Sequence, residues 1–147
     1  MADRASSSII IRAPRSAVLE VIADFEAYPE WAGQVKTAEV LSRGADGRAA
    51  EVRLVLDAGL VRDDYVLAYD WDGEDGVSWR LVRGQVMKAQ DGSYRLHESS
   101  VGSTEVRYDL SVELTIPLPG LVRRRAEGMI MNAALAGLKK RVEALAG

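Results

Sequence analysis

From residue 121 to residue 145 the chain contains no proline, and its apolar side chains fall on a helical period. Leu121, Leu135 and Val142 recur at multiples of seven with Gly128 in the same row, and Met131, Leu138 and Leu145 fill the row beside it. That spacing describes one amphipathic helix of ~25 residues, ~37 Å long at 1.5 Å per residue. Everything between residue 35 and the "PLPG" at residues 117–120 alternates instead with period two. Residues 35–43 and 50–57 form two such runs around the turn-rich "RGADGR". "VRDDYVLAYDW" places Val61, Asp63, Tyr65, Leu67, Tyr69 and Trp71 on one side and Arg62, Asp64 and Asp70 on the other. "VSWRLVRG" follows "DGEDG", "DGS" introduces Tyr94, Leu96 and Glu98, and "STEVRYDLSVEL" aligns Val106 through Leu114. Short turns between successive strands predict an antiparallel meander with one buried face. Such a face needs a cover, and the C-terminal helix is the only element long enough to supply it.

The front of the chain adds a strand over residues 6–12, "SSSIIIR", rich in β-branched side chains. Pro14 then suits a first helical position. Val18, Val21, Ile22 and Phe25 follow at helical spacing, so a first helix is expected over about 14–24. Next comes "DFEAYPEWAGQV", which holds Phe25, Tyr28 and Trp31, three of only nine aromatic residues. Pro29 disfavours helix at Tyr28, while Glu30, Trp31 and Ala32 can make one further turn. The segment reads as a short helical lid, or as a satellite core beneath a loop, with Glu26 and Glu30 as solvated charges. The predicted architecture is α+β, in the order β-α-α-β6-α, a curved antiparallel sheet wrapped around the long C-terminal helix. A sheet so curved rarely fills against one helix, and a cavity between them is expected.

Composition narrows the function. A length of 147 residues favours one domain over 1–147. A net charge of −3 argues against a dedicated nucleic-acid binder. With no cysteine and one histidine, thiolate and multi-histidine metal sites are excluded, and no cofactor is implied. The opening "MADRASSS" lacks the order of a secretory signal, and no apolar run reaches the ~18 residues that span a bilayer. A soluble, cytoplasmic protein without stable membrane insertion is the expectation.

"IIIRAPRSAVLEVIADFEAYPEW" closely resembles the opening of the START-like, helix-grip superfamily. That superfamily includes polyketide cyclases, coenzyme Q-binding START-domain proteins and the birch-pollen-allergen-like fold. "WRLVRG", "DGSYRL" and "PLPGLVRRRAEG" are similar to its bacterial cyclase/dehydrase branch, so the resemblance covers nearly the whole chain. It implies the helix-grip fold. It does not assign a reaction, because one fold hosts many functions.

By parity, Tyr65, Tyr69, Trp79, Tyr94 and Tyr108 share the concave side of the sheet, where amphipathic rings give an apolar wall with polar handles. Leu67 and Leu81 have the same parity, and Phe25, Tyr28 and Trp31 close the wall from the lid. On the long helix at 100° per residue, Arg124 falls in line with Leu135 and Val142, and Arg123 points away. An inward Arg124 would meet an anionic oxygen, or else pair with an acid such as Glu98 or Asp63, or reach back to water. Gly128 costs ~1 kcal/mol relative to alanine in a helix interior, so it marks either a close approach or room for a ligand. Met131 is adaptable, and Asn132 sits at the edge of the same face. Asp63, Arg83 and Glu98 share parity near strand ends, with mutual ion pairing expected, while His97 faces out. A second stripe of Val122, Met129, Ile130 and Ala133 should face away from the sheet. It would suit a homodimer contact or a transient membrane-surface contact, so monomer and homodimer both stand.

Three functions follow. A binding protein for a lipid, quinone or polyketide-like molecule needs only the cavity, the lid and a few polar groups. A cyclase or dehydratase is what the resemblance to aromatase/cyclases adds, with Arg124, Arg83, Tyr65 and Tyr69 as the groups that would polarise a carbonyl. A partner- or membrane-docking protein would have a filled core. Apolar cavity walls favour the first, an inward arginine beside a tyrosine or acid the second, and a collapsed cavity the third.

Overall fold

The structure, a computed structural model, describes residues 5–57, 59, 62–115 and 119–146. Val61, Pro117 and Leu118, used above to bound the strands, lie outside the described residues. The elements run β1 (Ala5–Ile11), α1 (Arg15–Ala23), a 3-10 turn (Phe25–Ala27), α2 (Tyr28–Trp31), β2 (Val35–Arg43), β3 (Ala49–Asp57), β4 (Arg62–Asp72), β5 (Gly76–Arg83), β6 (Met87–Ser100), β7 (Ser103–Leu114) and α3 (Gly120–Ala146). One antiparallel sheet of seven strands has the order β1-β7-β6-β5-β4-β3-β2, so β2 to β7 form a meander and β1 closes onto β7. This is the expected α+β helix-grip arrangement.

Alternation decides which side of each strand is dry. Val52, Leu54 and Leu56 of β3 and Val106, Tyr108, Leu110 and Val112 of β7 are buried on the concave side. Ala126, Met131, Leu135, Leu138 and Val142 form the buried row of α3. The helix lies along β1 and β7 and against α1 and α2. It therefore covers part of the concave face, and the α1–α2 segment covers more of it. Phe25, below the 3-10 turn, sits 4.8 Å from Tyr69 and 6.2 Å from Trp71, ring centre to ring centre, which brings that turn over β4.

The outer edge of β1 would otherwise expose unpaired backbone groups. Two side chains one turn apart on α3 meet them. Lys139 Nζ donates to the Ile10 carbonyl at 2.7 Å, and Glu143 Oε2 accepts the Arg12 N–H at 2.9 Å. Lys139 and Glu143 also pair at 2.8 Å. Lys139, with the Arg12 N–H adding to its effect, holds the Glu143 carboxyl below the usual range.

Three local expectations are corrected. Pro14 is the N-cap of α1, with φ −69° and ψ 160°, and not its first helical residue. Tyr28 is helical at φ −52° and ψ −42° despite the proline after it. Pro29 stands in the first turn of α2, where a missing N–H leaves nothing unpaired. The Tyr28 hydroxyl donates to the Ile22 carbonyl, and its ring lies 4.9 Å from that of Phe25, which holds the residue in place. Finally, β6 does not begin at Tyr94. It begins at Met87 and runs straight through "DGS". Gly92 pairs with Trp79, and a Cβ on it would stand 2.4 Å from the Trp79 ring. The glycine there makes room for an indole and does not turn the chain.

Candidate functional site

A cavity of about 80 Å³ lies between the sheet, α2 and α3. Its sheet wall consists of Leu54, Leu56, Tyr65, Leu67, Tyr69, Trp79, Gln90, Tyr94 and Tyr108. Tyr28, Trp31, Ala32, Gln34 and Val35 close it on the lid side, and Ile130, Ala133 and Ala134 on the helix side. The rings pack in two groups, Tyr28–Trp31 at 4.9 Å on the lid and Tyr69–Trp79 at 5.8 Å, Trp79–Tyr108 at 5.6 Å and Tyr94–Tyr108 at 4.7 Å on the sheet, joined through Phe25 behind the wall. The last two pairs are edge-on, the arrangement aromatic quadrupoles prefer.

The polar groups of this wall are all uncharged. Trp79 Nε1 donates to Gln90 Oε1 at 3.1 Å, and Gln90 Nε2 donates onward to Met87 Sδ at 3.2 Å. Burial pushes the hydroxyls of Tyr65, Tyr69, Tyr94 and Tyr108 above the ordinary tyrosine value of 10, with the Asp63 carboxylate adding to the shift at Tyr65. They are therefore protonated donors at neutral pH and cannot serve as bases there. None of the residues lining the cavity is an acid, a histidine, a lysine or an arginine.

Of the residues expected from sequence, Tyr28, Trp31, Tyr65, Leu67, Tyr69, Trp79, Tyr94 and Tyr108 line the cavity. Phe25, Met131 and Leu135 are buried in the core instead and do not line it, and Leu81 packs against that core from a half-buried position. Arg124 is exposed. It folds over the first turn of α3, its Nη1 3.4 Å from where a Cβ on Gly120 would stand. The buried charge on that end of α3 is an acid: Glu127 is 1% exposed, and its Oε2 accepts the Val112 N–H at 2.8 Å. Arg123, expected to point away, is half-buried beside Val112, Leu114 and Ile130. Asn132 is exposed. Gly128 is half-exposed, with nothing within 4 Å of a Cβ built on it, so it marks neither a close approach nor ligand space.

The acids and bases near the strand ends also differ from expectation. Asp63 is buried, but neither it nor Glu98 pairs with Arg83, and both Arg83 and Glu98 are exposed. Asp63 accepts backbone N–H groups from Asp64 at 2.8 Å, Gln85 at 2.9 Å and Met87 at 2.8 Å, and so clamps the β5–β6 turn. His97 is exposed, as its parity indicated. Glu30 pairs with Arg141 at 3.2 Å and ties α2 to α3. Ile130 and Ala133 of the supposed outer stripe face the cavity, while Met129 is exposed. Among the described residues no helix is long and apolar enough to cross a membrane, and no cluster of three or more metal-ligating side chains forms.

Sequence reasoning missed Ala32, Gln34, Val35, Leu54, Leu56, Gln90, Ile130, Ala133 and Ala134. Gln90 has the parity of Tyr94 and would have joined the wall had "DGS" been read as strand. The expected face is buried at Met131, Leu135, Leu138 and Val142, but nearer the start of α3 the buried residues are Ala126 and Glu127 in place of Leu121 and Gly128, and Ile130 and Ala133 had been assigned to the outer stripe.

The family described as polyketide cyclase / dehydrase and lipid transport matches residues 2–143. A START superfamily protein from Mycobacterium smegmatis is 26% identical, with a TM-score of 0.90 over 97% of this chain and 98% of that one. The Zhui aromatase/cyclase from Streptomyces sp. R1128 superposes with a TM-score of 0.82 at 16% identity, covering 97% of this chain and 94% of its own. A protein from Thermus thermophilus gives a TM-score of 0.82 at 23% identity over 99% and 100% of the two chains. No curated protein matches the chain.

Proposed function

The chain belongs to the polyketide cyclase / dehydrase and lipid transport family, and from that membership and the cavity together we propose that it binds a hydrophobic or amphipathic small molecule between its sheet and α3. The observation that carries this reading is the wall itself. Seven aromatic side chains, those of Tyr28, Trp31, Tyr65, Tyr69, Trp79, Tyr94 and Tyr108, line a cavity where aliphatic packing could have closed it. At about 80 Å³ the void holds two or three waters' worth of space, well below the roughly 300 Å³ at which small-molecule pockets begin. Binding a lipid-sized or polyketide-sized ligand therefore requires α2 to move outward. This four-residue helix is held to α3 by the partly exposed Glu30–Arg141 pair and by the close approach of the Trp31 backbone to Gly137. A partly exposed ion pair contributes little stability, so the Trp31–Gly137 packing is the contact that such a movement has to break.

A cyclase or dehydratase reaction is the weaker reading. It needs a group to take a proton, and the polar lining residues are tyrosine, tryptophan and glutamine, with no carboxylate, imidazole or amine among them. The arginines assigned to that chemistry, Arg83 and Arg124, lie outside the cavity. A docking protein with a filled core is disfavoured by the void.

The test is uptake of the neutral fluorophore N-phenyl-1-naphthylamine. Ala134→Phe adds a ring to the helix wall of the cavity, and it should reduce uptake at least tenfold while the circular dichroism spectrum stays unchanged. Uptake equal to that of the unmodified protein would place the binding elsewhere.

A further inference from the structure

Trp31 holds a position that no other cavity residue shares. It lines the inner cavity and also an outer groove of about 570 Å³ between α1, the β2–β3 hairpin and the end of α3. Its backbone is fixed against α3, since a Cβ on Gly137 would stand 2.4 Å from the Trp31 carbonyl oxygen. Its indole Nε1 is buried and has no hydrogen-bond partner among the described residues. The other two tryptophans differ: Trp71 Nε1 donates to the Ala49 carbonyl at 2.8 Å and Trp79 Nε1 to Gln90. A buried donor without an acceptor is destabilising, because it loses its bond to water and gains none in return, and it calls for an explanation.

We propose that the Trp31 indole N–H is the hydrogen-bond donor for the bound ligand, and that the ligand carries an uncharged acceptor oxygen, such as a ketone, on an aromatic or polycyclic body. The proposal rests on the ligand-binding reading above. An indole N–H donates and never accepts, so its partner must be an acceptor. Arg43, Arg48 and Arg141 line the outer groove, but the inner wall supplies no cation to offset a buried anion, which makes a carboxylate on an oxygen seated in the inner cavity unfavourable. The aromatic faces of Tyr28 and the sheet wall suit a flat apolar body.

Two matched probes test it, 2-acetylnaphthalene and 2-ethylnaphthalene, which differ in the carbonyl oxygen. Trp31→Phe keeps a ring and removes the N–H. It should weaken the ketone about 3–10-fold, the range of one hydrogen bond, and change the hydrocarbon by less than about twofold. In the unmodified protein labelled with 15N-tryptophan, the Trp31 indole proton should shift downfield with the ketone and not with the hydrocarbon. That readout stands even if the variant fails to fold. Equal weakening of both probes, or an indole proton indifferent to the carbonyl, overturns the proposal while leaving the binding reading intact. Failure of both probes to bind the unmodified protein overturns the binding reading and this inference with it.

Discussion

Gly128 and Gly137 occupy the same helix and face opposite demands. A Cβ on Gly128 meets nothing within 4 Å, whereas one on Gly137 would stand 2.4 Å from the Trp31 carbonyl oxygen. Gly128→Ala should therefore gain helix propensity alone and raise stability by about 0.4–1 kcal/mol. Gly137→Ala should overpack the α2–α3 contact and lower stability by about 1–3 kcal/mol. Thermal melts of the two variants give the signs directly, with shifts of about 2–4 °C per kcal/mol for a chain of this size. Opposite signs are expected, and two destabilised variants would contradict this reading of the helix face. Both glycines stand inside the predicted helix, but spacing does not tell which of them faces a backbone. That depends on where α2 docks, and a four-residue helix containing proline leaves little periodic signal. For the same reason Arg124 looked central. Its angular position matches Leu135, but burial along a helix also depends on how far the neighbouring elements extend, which angle alone does not report.

Among the elements, the meander was the most legible because its period-two pattern is long and its turns are marked by glycine and aspartate. The exception was β6, where "DGS" carries turn composition yet lies in mid-strand, since Gly92 yields its side-chain space to Trp79. Long-range side-chain contacts of that kind leave no local mark. The β5–β6 turn that replaces it is held from β4 by Asp63, whose carboxylate accepts the Gln85 and Met87 N–H groups. Asp63→Ala should leave those donors unpaired and lower stability by about 2–3 kcal/mol. Chemical denaturation measures the loss. Amide hydrogen exchange should speed up most at Gln85 and Met87, and a uniform increase across the sheet would show that the clamp is not local.

For the whole molecule, the tyrosines couple the site to the fold. Tyr28, Tyr65, Tyr94 and Tyr108 are buried and Tyr69 is half-buried. Burial is the first cause that raises each of the five hydroxyls above the ordinary value of 10. Above pH 10 the unfolded chain loses phenolic protons that the folded chain keeps, so fewer protons are bound when unfolded and stability falls as pH rises. Each tyrosine contributes up to about 1.4 kcal/mol per pH unit in that window. Absorbance at 295 nm should therefore show tyrosinate appearing together with cooperative unfolding. A separate, gradual titration in the folded state would mean that the rings are wet.

The same dry rings are the basis of the binding account. Its most direct test is nuclear Overhauser contact mapping with N-phenyl-1-naphthylamine bound. The account predicts contacts from the probe to the rings of Tyr69, Trp79, Tyr94 and Tyr108 and to the methyls of Ala133 and Ala134. A probe that contacts exposed Leu121, Met129 or Leu145 and none of those rings would contradict it.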